Sequence, residues 1–79
     1  MKITVADLDF RANEDMAACW HGTGGWFVLM QRQIGKEMAY SIMLSRISRE
    51  LRRDYGLDEA KKVLRDVADT MDQVSGADC

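Results

Sequence analysis

The sequence predicts an α+β fold, in which a small three-stranded antiparallel sheet is followed by an antiparallel helical hairpin in the order β-β-β-α-α. Three observations lead there. Residues Lys2-Ile3-Thr4-Val5-Ala6 alternate polar and apolar side chains; two apolar runs flank Gly22-Thr23-Gly24-Gly25; and two helix-period patterns run from Lys36 to Val74, joined only at Tyr55-Gly56-Leu57. The β-branched residues and period-2 alternation of 2–6 read as a short strand. Residues 9–15 are polar and turn-like around Asn13. The runs Met16 to His21 and Trp26 to Met30 are then of strand length, and the glycines between them permit a tight turn, so they read as a β-hairpin that gives the first strand its neighbours. The competing reading makes residues 13–20 a short helix, because Met16, Ala17 and Trp20 share a helical face; the aromatic and branched character of Trp26 to Leu29 favours the hairpin.

From Lys36 to Tyr55 the period becomes helical. At 100° per residue Tyr40, Met43, Leu44, Ile47 and Leu51 share one stripe, with Ala39 and Tyr55 at its edges. Gly56 offers the left-handed position that ends many helices, and Leu57 can fold back as the accompanying apolar contact. Asp58 and Glu59 open the next helix, where the dipole favours negative charge. Its stripe is Ala60, Val63, Leu64, Val67, Met71 and Val74, over residues 58–74, before Ser75-Gly76 stops it. Burying both stripes against one sheet face is the simplest way to hide this apolar area. One domain over 1–79 is expected, made of a strand and hairpin region (1–31) and helices over 36–55 and 58–74.

Seventy-nine residues suffice for one domain that buries only about 60% of its unfolded surface, so the fold must pack well or associate. With 30% charged residues and 47% apolar ones, wholesale disorder is not expected. No run approaches the ~18 apolar residues of a membrane span. The first residues turn acidic too soon, at Asp7 and Asp9, to read as a signal peptide, which places the chain in the cytoplasm as an expectation. Cys19 and Cys79 are the only cysteines and are read as reduced thiols. The net charge of −2 hides a pattern: residues 1–31 sum to −2, residues 32–65 to +4 and residues 66–79 to −4. Such asymmetry speaks to partners more than the total does.

Nothing assembles a catalytic set. Gly35-Lys36 is followed by Glu37 and lacks the Gly-Lys-Ser/Thr ending of a phosphate loop, so the glycines read as a turn. His21 is the single histidine. On a strand it shares a face with Cys19, which could make a nucleophile–base pair, yet no third residue orients it. Asp7 and Asp9 could hold a cation weakly, but no further carboxylate stands at a recognised spacing. Trp20 and Trp26 read as hairpin packing, with an exposed binding anchor as the alternative. No cofactor and no metal are expected, and the chain is expected not to be an enzyme.

The first helix carries the sharpest surface feature. Met38, Ile42, Arg46, Arg49 and Arg53 fall together on the side away from the Tyr40–Leu51 stripe, where a singly buried helix shows only polar residues. Either this helix is central and packs on both sides, or the patch is a contact surface with an apolar centre and an arginine rim. Asp66, Asp69 and Asp72 line the solvent side of the second helix and could attract a basic groove on a partner. Arg46, Arg49, Arg52 and Arg53 with Lys61, Lys62 and Arg65 could instead meet phosphates, with the two helices as a helix-turn-helix. Against that stand Glu50, Asp54, Asp58, Glu59, Asp66 and Asp69 among those bases, and the lack of a third helix.

In length, acidity, single-domain character, missing catalytic set and charged helical faces, the whole chain resembles the small inhibitors encoded by bacteriophages and other mobile elements, of which anti-CRISPR proteins are the best-known class. The resemblance implies a protein-binding inhibitor in the host bacterial cytoplasm that blocks a nucleic-acid-binding defence complex. The expected partner is a host protein or ribonucleoprotein, the expected state a monomer or weak homodimer, and no membrane is involved. Ile42 and Met38 would supply desolvated contact, the arginines orientation, and the aspartate row electrostatic attraction. The alternatives are a small DNA-binding regulator using the basic helical pair, and a self-associating structural subunit.

Overall fold

A computed structural model describes residues 3, 5, 9, 11 and 13–74. It corrects the fold class. Three α-helices follow one another, α1 (Glu14–Ile34), α2 (Lys36–Tyr55) and α3 (Leu57–Asp69), and a single 3-10 turn closes the series at Met71–Gln73. No strand is present among the described residues, where helices take the place of the expected α+β sheet. Of the strand expected over 2–6, Ile3 and Val5 carry no regular structure and the rest lies outside the described residues.

The expected hairpin is one continuous helix, and local chemistry explains why. Asn13 is an N-cap: its side-chain oxygen accepts the Met16 N–H at 3.0 Å, while its backbone is extended. Glu14 and Asp15 place negative charge in the first turn, where the helix dipole favours it. Thr23 satisfies its hydroxyl inside the helix by donating to the Cys19 carbonyl at 2.8 Å. Further along, Phe27, Met30 and Gln31 are the residues that lose exposure, a spacing of three and four that belongs to a helix. Short apolar runs fit either a strand or a buried helix segment, and here the cap and the 27–31 spacing decide. Gly22, Gly24 and Gly25 all sit inside α1 with ordinary helical backbone, at a cost of roughly 0.8–1 kcal/mol each relative to alanine.

By their internal contacts the residues divide into two units, 9–46, and 1–8 together with 47–79. Each is built around one glycine. Gly35 (φ 86, ψ 161) breaks α1 from α2, and Gly56 (φ 87, ψ 166) breaks α2 from α3. The connectors repeat in detail. The Gly35 N–H donates to Gln31 O at 3.0 Å and the Gly56 N–H to Arg52 O at 2.9 Å; four residues on, Ala39 and Ala60 donate back to the glycine carbonyls at 3.0 Å. Backbone at positive φ with ψ near 160° is open almost only to glycine, so the sequence fixes each break at one residue. The residue five before each glycine, Met30 or Leu51, is buried, and so is the alanine four after it. A small side chain there lets the new helix lie close to the one before. This Met/Leu–Gly–Ala spacing recurs after 21 residues and accounts for four of the five buried residues among those described.

In the first unit the Phe27 and Tyr40 rings meet at 4.9 Å between centroids, tilted by 59°, a geometry that aromatic quadrupoles favour. In the second, Leu51, Ala60 and Val63 form the buried cluster, with Leu64 and Val67 packed against it. The α3 stripe is therefore buried at its N-terminal end, as its spacing requires. It stops early, because Thr70 caps α3 by donating its Oγ1 to Asp66 O at 2.9 Å, and Met71 and Val74 are exposed beyond it. The α2 stripe is another correction. Ala39 (0% exposed), Met43 and Leu51 face inward, whereas Leu44 (61%) and Ile47 (48%) stand in solvent and Tyr40, though 52% exposed, keeps its ring against Phe27. With no sheet face for them to cover among the described residues, the bulky half of that stripe loses its expected partner.

Candidate partner-binding faces of α2 and α3

Met38, Ile42 and Arg46 stand on successive turns of α2 in the first unit. Met38 is 54% and Ile42 43% exposed, so the described residues leave both apolar side chains largely uncovered. Arg49 and Arg53 continue the helical spacing into the second unit. Arg53 is engaged: it donates to Glu50 Oε2, three residues back, and through Nε to Asp54 Oδ1 at 3.3 Å. A half-buried carboxylate, Glu50, and an exposed one, Asp54, thus already occupy one arginine of the expected rim, although such surface pairs contribute only about 0–1 kcal/mol. Arg46 and Arg49 are exposed.

Asp66 and Asp69 lie exposed on α3, while Asp72 lies in the 3-10 turn beyond Thr70. The expected row is therefore interrupted by a helix end. None of the three side chains forms an ion pair among the described residues, which leaves their charge facing solvent.

Sequence reasoning missed a groove between the C-terminal half of α2 and α3. Ser48, Arg49, Arg52, Leu57, Ala60, Lys61 and Leu64 line an open space of about 310 Å³. Leu57, Ala60 and Leu64 supply apolar lining, and three cations surround it. Arg49, Arg52 and Lys61 make no ion pair among the described residues. The signal was present in part: Leu57 was expected to fold back as a helix-end contact, but it stays 45% exposed and lines the groove instead. Being open, the space suits one or two side chains of a partner better than an enclosed small molecule, which a ligand pocket would bury by 70–90% or so.

The remaining candidates separate. Cys19 and His21 are two apart on a helix, hence on opposite sides of α1, and both are exposed, so the strand-based nucleophile–base pair does not form. Trp20 and Trp26 lie on α1 half-exposed or more, not across a hairpin. Asp7 and Cys79 lie outside the described residues. Asp9 is held by Arg11, whose backbone N–H and Nε donate to Oδ1 at 3.0 Å each while its Nη2 donates to Oδ2 at 2.9 Å. The Arg11 side chain first, and its backbone N–H second, hold the Asp9 carboxyl below the usual carboxylate range. Among the described residues no group of three or more His, Cys, Asp or Glu could hold a metal ion, and no helix is long and apolar enough to cross a membrane. The chain matches no family model, no curated protein and no solved structure.

Proposed function

We propose that the chain is a non-enzymatic protein-binding module, an inhibitor of the phage- or mobile-element-encoded kind that acts in the bacterial cytoplasm by occupying a surface of a host nucleic-acid-binding defence complex. The observation that carries the proposal is the exposure of Met38 and Ile42, one turn apart on α2, with Arg46 on the next turn. Methionine and isoleucine on the polar side of a helix leave apolar area in water at roughly 25 cal/mol per Å², an unfavourable arrangement that a partner relieves. An adjoining guanidinium supplies direction, as arginine does at the rims and centres of protein interfaces. The interaction would be contact alone, with affinity set by the desolvated apolar pair and encounter rate by charge.

The test is affinity capture from cells carrying the candidate defence complex, comparing the wild type with a Met38→Asp/Ile42→Asp variant. Both should be equally helical by circular dichroism, and the variant should lose the captured complex. Equal recovery of the same complex by both would refute this use of α2.

A second reading, a small DNA-binding regulator, has one observation in its favour: Arg49, Arg52 and Lys61 surround one groove with no ion pair to them among the described residues. Three α-helices, rather than the two expected, are present among the described residues. The connection argues the other way, since α2 and α3 are joined by Gly56 alone, where a helix-turn-helix uses a turn of about 3–4 residues. Retention on heparin that falls steeply with salt would favour DNA; passage without retention is what the protein-binding reading predicts.

A further inference from the structure

The geometry points to self-association in which the groove of residues 48–64 receives the acidic end, Asp69 to Val74, of a second copy of this chain. The groove asks for an occupant with an apolar anchor beside carboxylates, because Leu57, Ala60 and Leu64 line it while Arg49, Arg52 and Lys61 surround it. The same chain carries that complement. Met71 is 60% exposed and Val74 is also exposed, and Asp69 and Asp72 flank Met71. Neither the groove's cations nor these carboxylates have an ion-pair partner among the described residues. Charge therefore matches between two separate stretches of one chain: +4 over residues 32–65 and −4 over residues 66–79.

Spacing decides how the match is made. Lys61 and Asp69 are eight residues apart on α3, about 12 Å at the helical rise, so the acidic end continues away from the groove beside which α3 runs. A second copy running antiparallel can fill it. A two-fold axis near residue 66 sets Met71 of each copy opposite Lys61 of the other, and both grooves fill at once in an isologous contact. Stability asks for the same thing. Among residues 47–74 only Leu51, Ala60 and Val63 are buried, and in a chain of 79 residues so small a core leaves stability to be gained by association. The contact is made without Met38 or Ile42, so the inference does not rest on the inhibitor reading, and either can fail without the other.

Charge exchange tests it. Light scattering of the full chain should give about twice the 9.0 kDa mass, with dissociation as salt rises. Arg52→Glu/Lys61→Glu and Asp69→Lys/Asp72→Lys should each be helical and monomeric, since each sets like charges together in its own homodimer. Mixed in equal amounts they should pair, because both contacts of the mixed dimer are complementary. If either reversal unfolds, Arg52→Gln/Lys61→Gln and Asp69→Asn/Asp72→Asn serve instead, each weakening the dimer by about tenfold. A monomeric wild type overturns the inference and leaves the groove to an acidic partner protein or to nucleic acid. A dimer indifferent to salt and to both reversals, or helical variants that stay monomeric on mixing, overturns it as well.

Discussion

Gly24 and Gly56 occupy opposite kinds of backbone position, and substituting each by alanine should move stability in opposite directions. Gly24 has ordinary helical backbone, and a Cβ there would meet nothing within 4 Å. Gly24→Ala should therefore stabilise the fold by about 0.5–1 kcal/mol, through helix propensity and a less mobile unfolded chain. Gly56 also has open space around it, but at φ 87 an alanine is strained, and Gly56→Ala should cost about 1–3 kcal/mol. Thermal unfolding checks both: a rise of several degrees for the first and a fall for the second, since about 1 kcal/mol shifts the midpoint of a 60–100-residue domain by roughly 4–8 °C. A destabilised Gly24→Ala would mean that the glycines pack against something. At Asp9 the folded-state pKa lies below the unfolded one, so its stabilisation is present above the unfolded value and is lost as pH falls through the lowered folded value. Both partners stand in solvent, and Asp9→Asn should leave the midpoint at pH 7 unchanged. A clear drop would show that the Asp9–Arg11 pair anchors more than itself.

At the level of elements, the α2–α3 pair was legible because its signals agree. Gly56 stops one helix, Asp58 and Glu59 favour the start of the next, and the Ala60–Val63–Leu64–Val67 spacing names its inward face. The sheet was misread because the signals over 13–34 conflict. Three glycines and aromatic runs look like a hairpin, while the Asn13 cap and the 27–31 spacing specify a helix, and helix formation is cooperative enough to carry three poor residues once both ends are held. The repeat of Met30–Gly35–Ala39 as Leu51–Gly56–Ala60 is readable too, yet failing the phosphate-loop pattern leaves Gly35 only as a turn glycine, and nothing in the hairpin reading marks it as a break between two helices. Because Leu51 is the one large side chain in the buried cluster of its unit, Leu51→Ala should cost about 2 kcal/mol, the low end for such truncations because the cluster is small. Denaturant titration measures this. A loss below about 0.5 kcal/mol would show that the cluster contributes little.

For the whole molecule, the partner-binding residues named from spacing divide on inspection. Met38 and Ile42 are exposed as the contact reading needs, Arg53 is engaged with Glu50 and Asp54, and the aspartate row is broken by the end of α3. The groove could not be read from the sequence, since it depends on how α2 and α3 pack after Gly56, and periodicity carries no such information. Charge asymmetry did announce itself, and the groove and the acidic end show where its two signs stand. The central claim is that the chain works by contact through the Met38–Ile42 side of α2. Hydrogen–deuterium exchange on a captured complex addresses it most directly. Side-chain burial there should slow amide exchange across residues 38–46 relative to the free chain, with the Met38→Asp/Ile42→Asp variant forming no complex to protect. Unchanged exchange over 38–46 in a stable complex, with protection elsewhere, would contradict it.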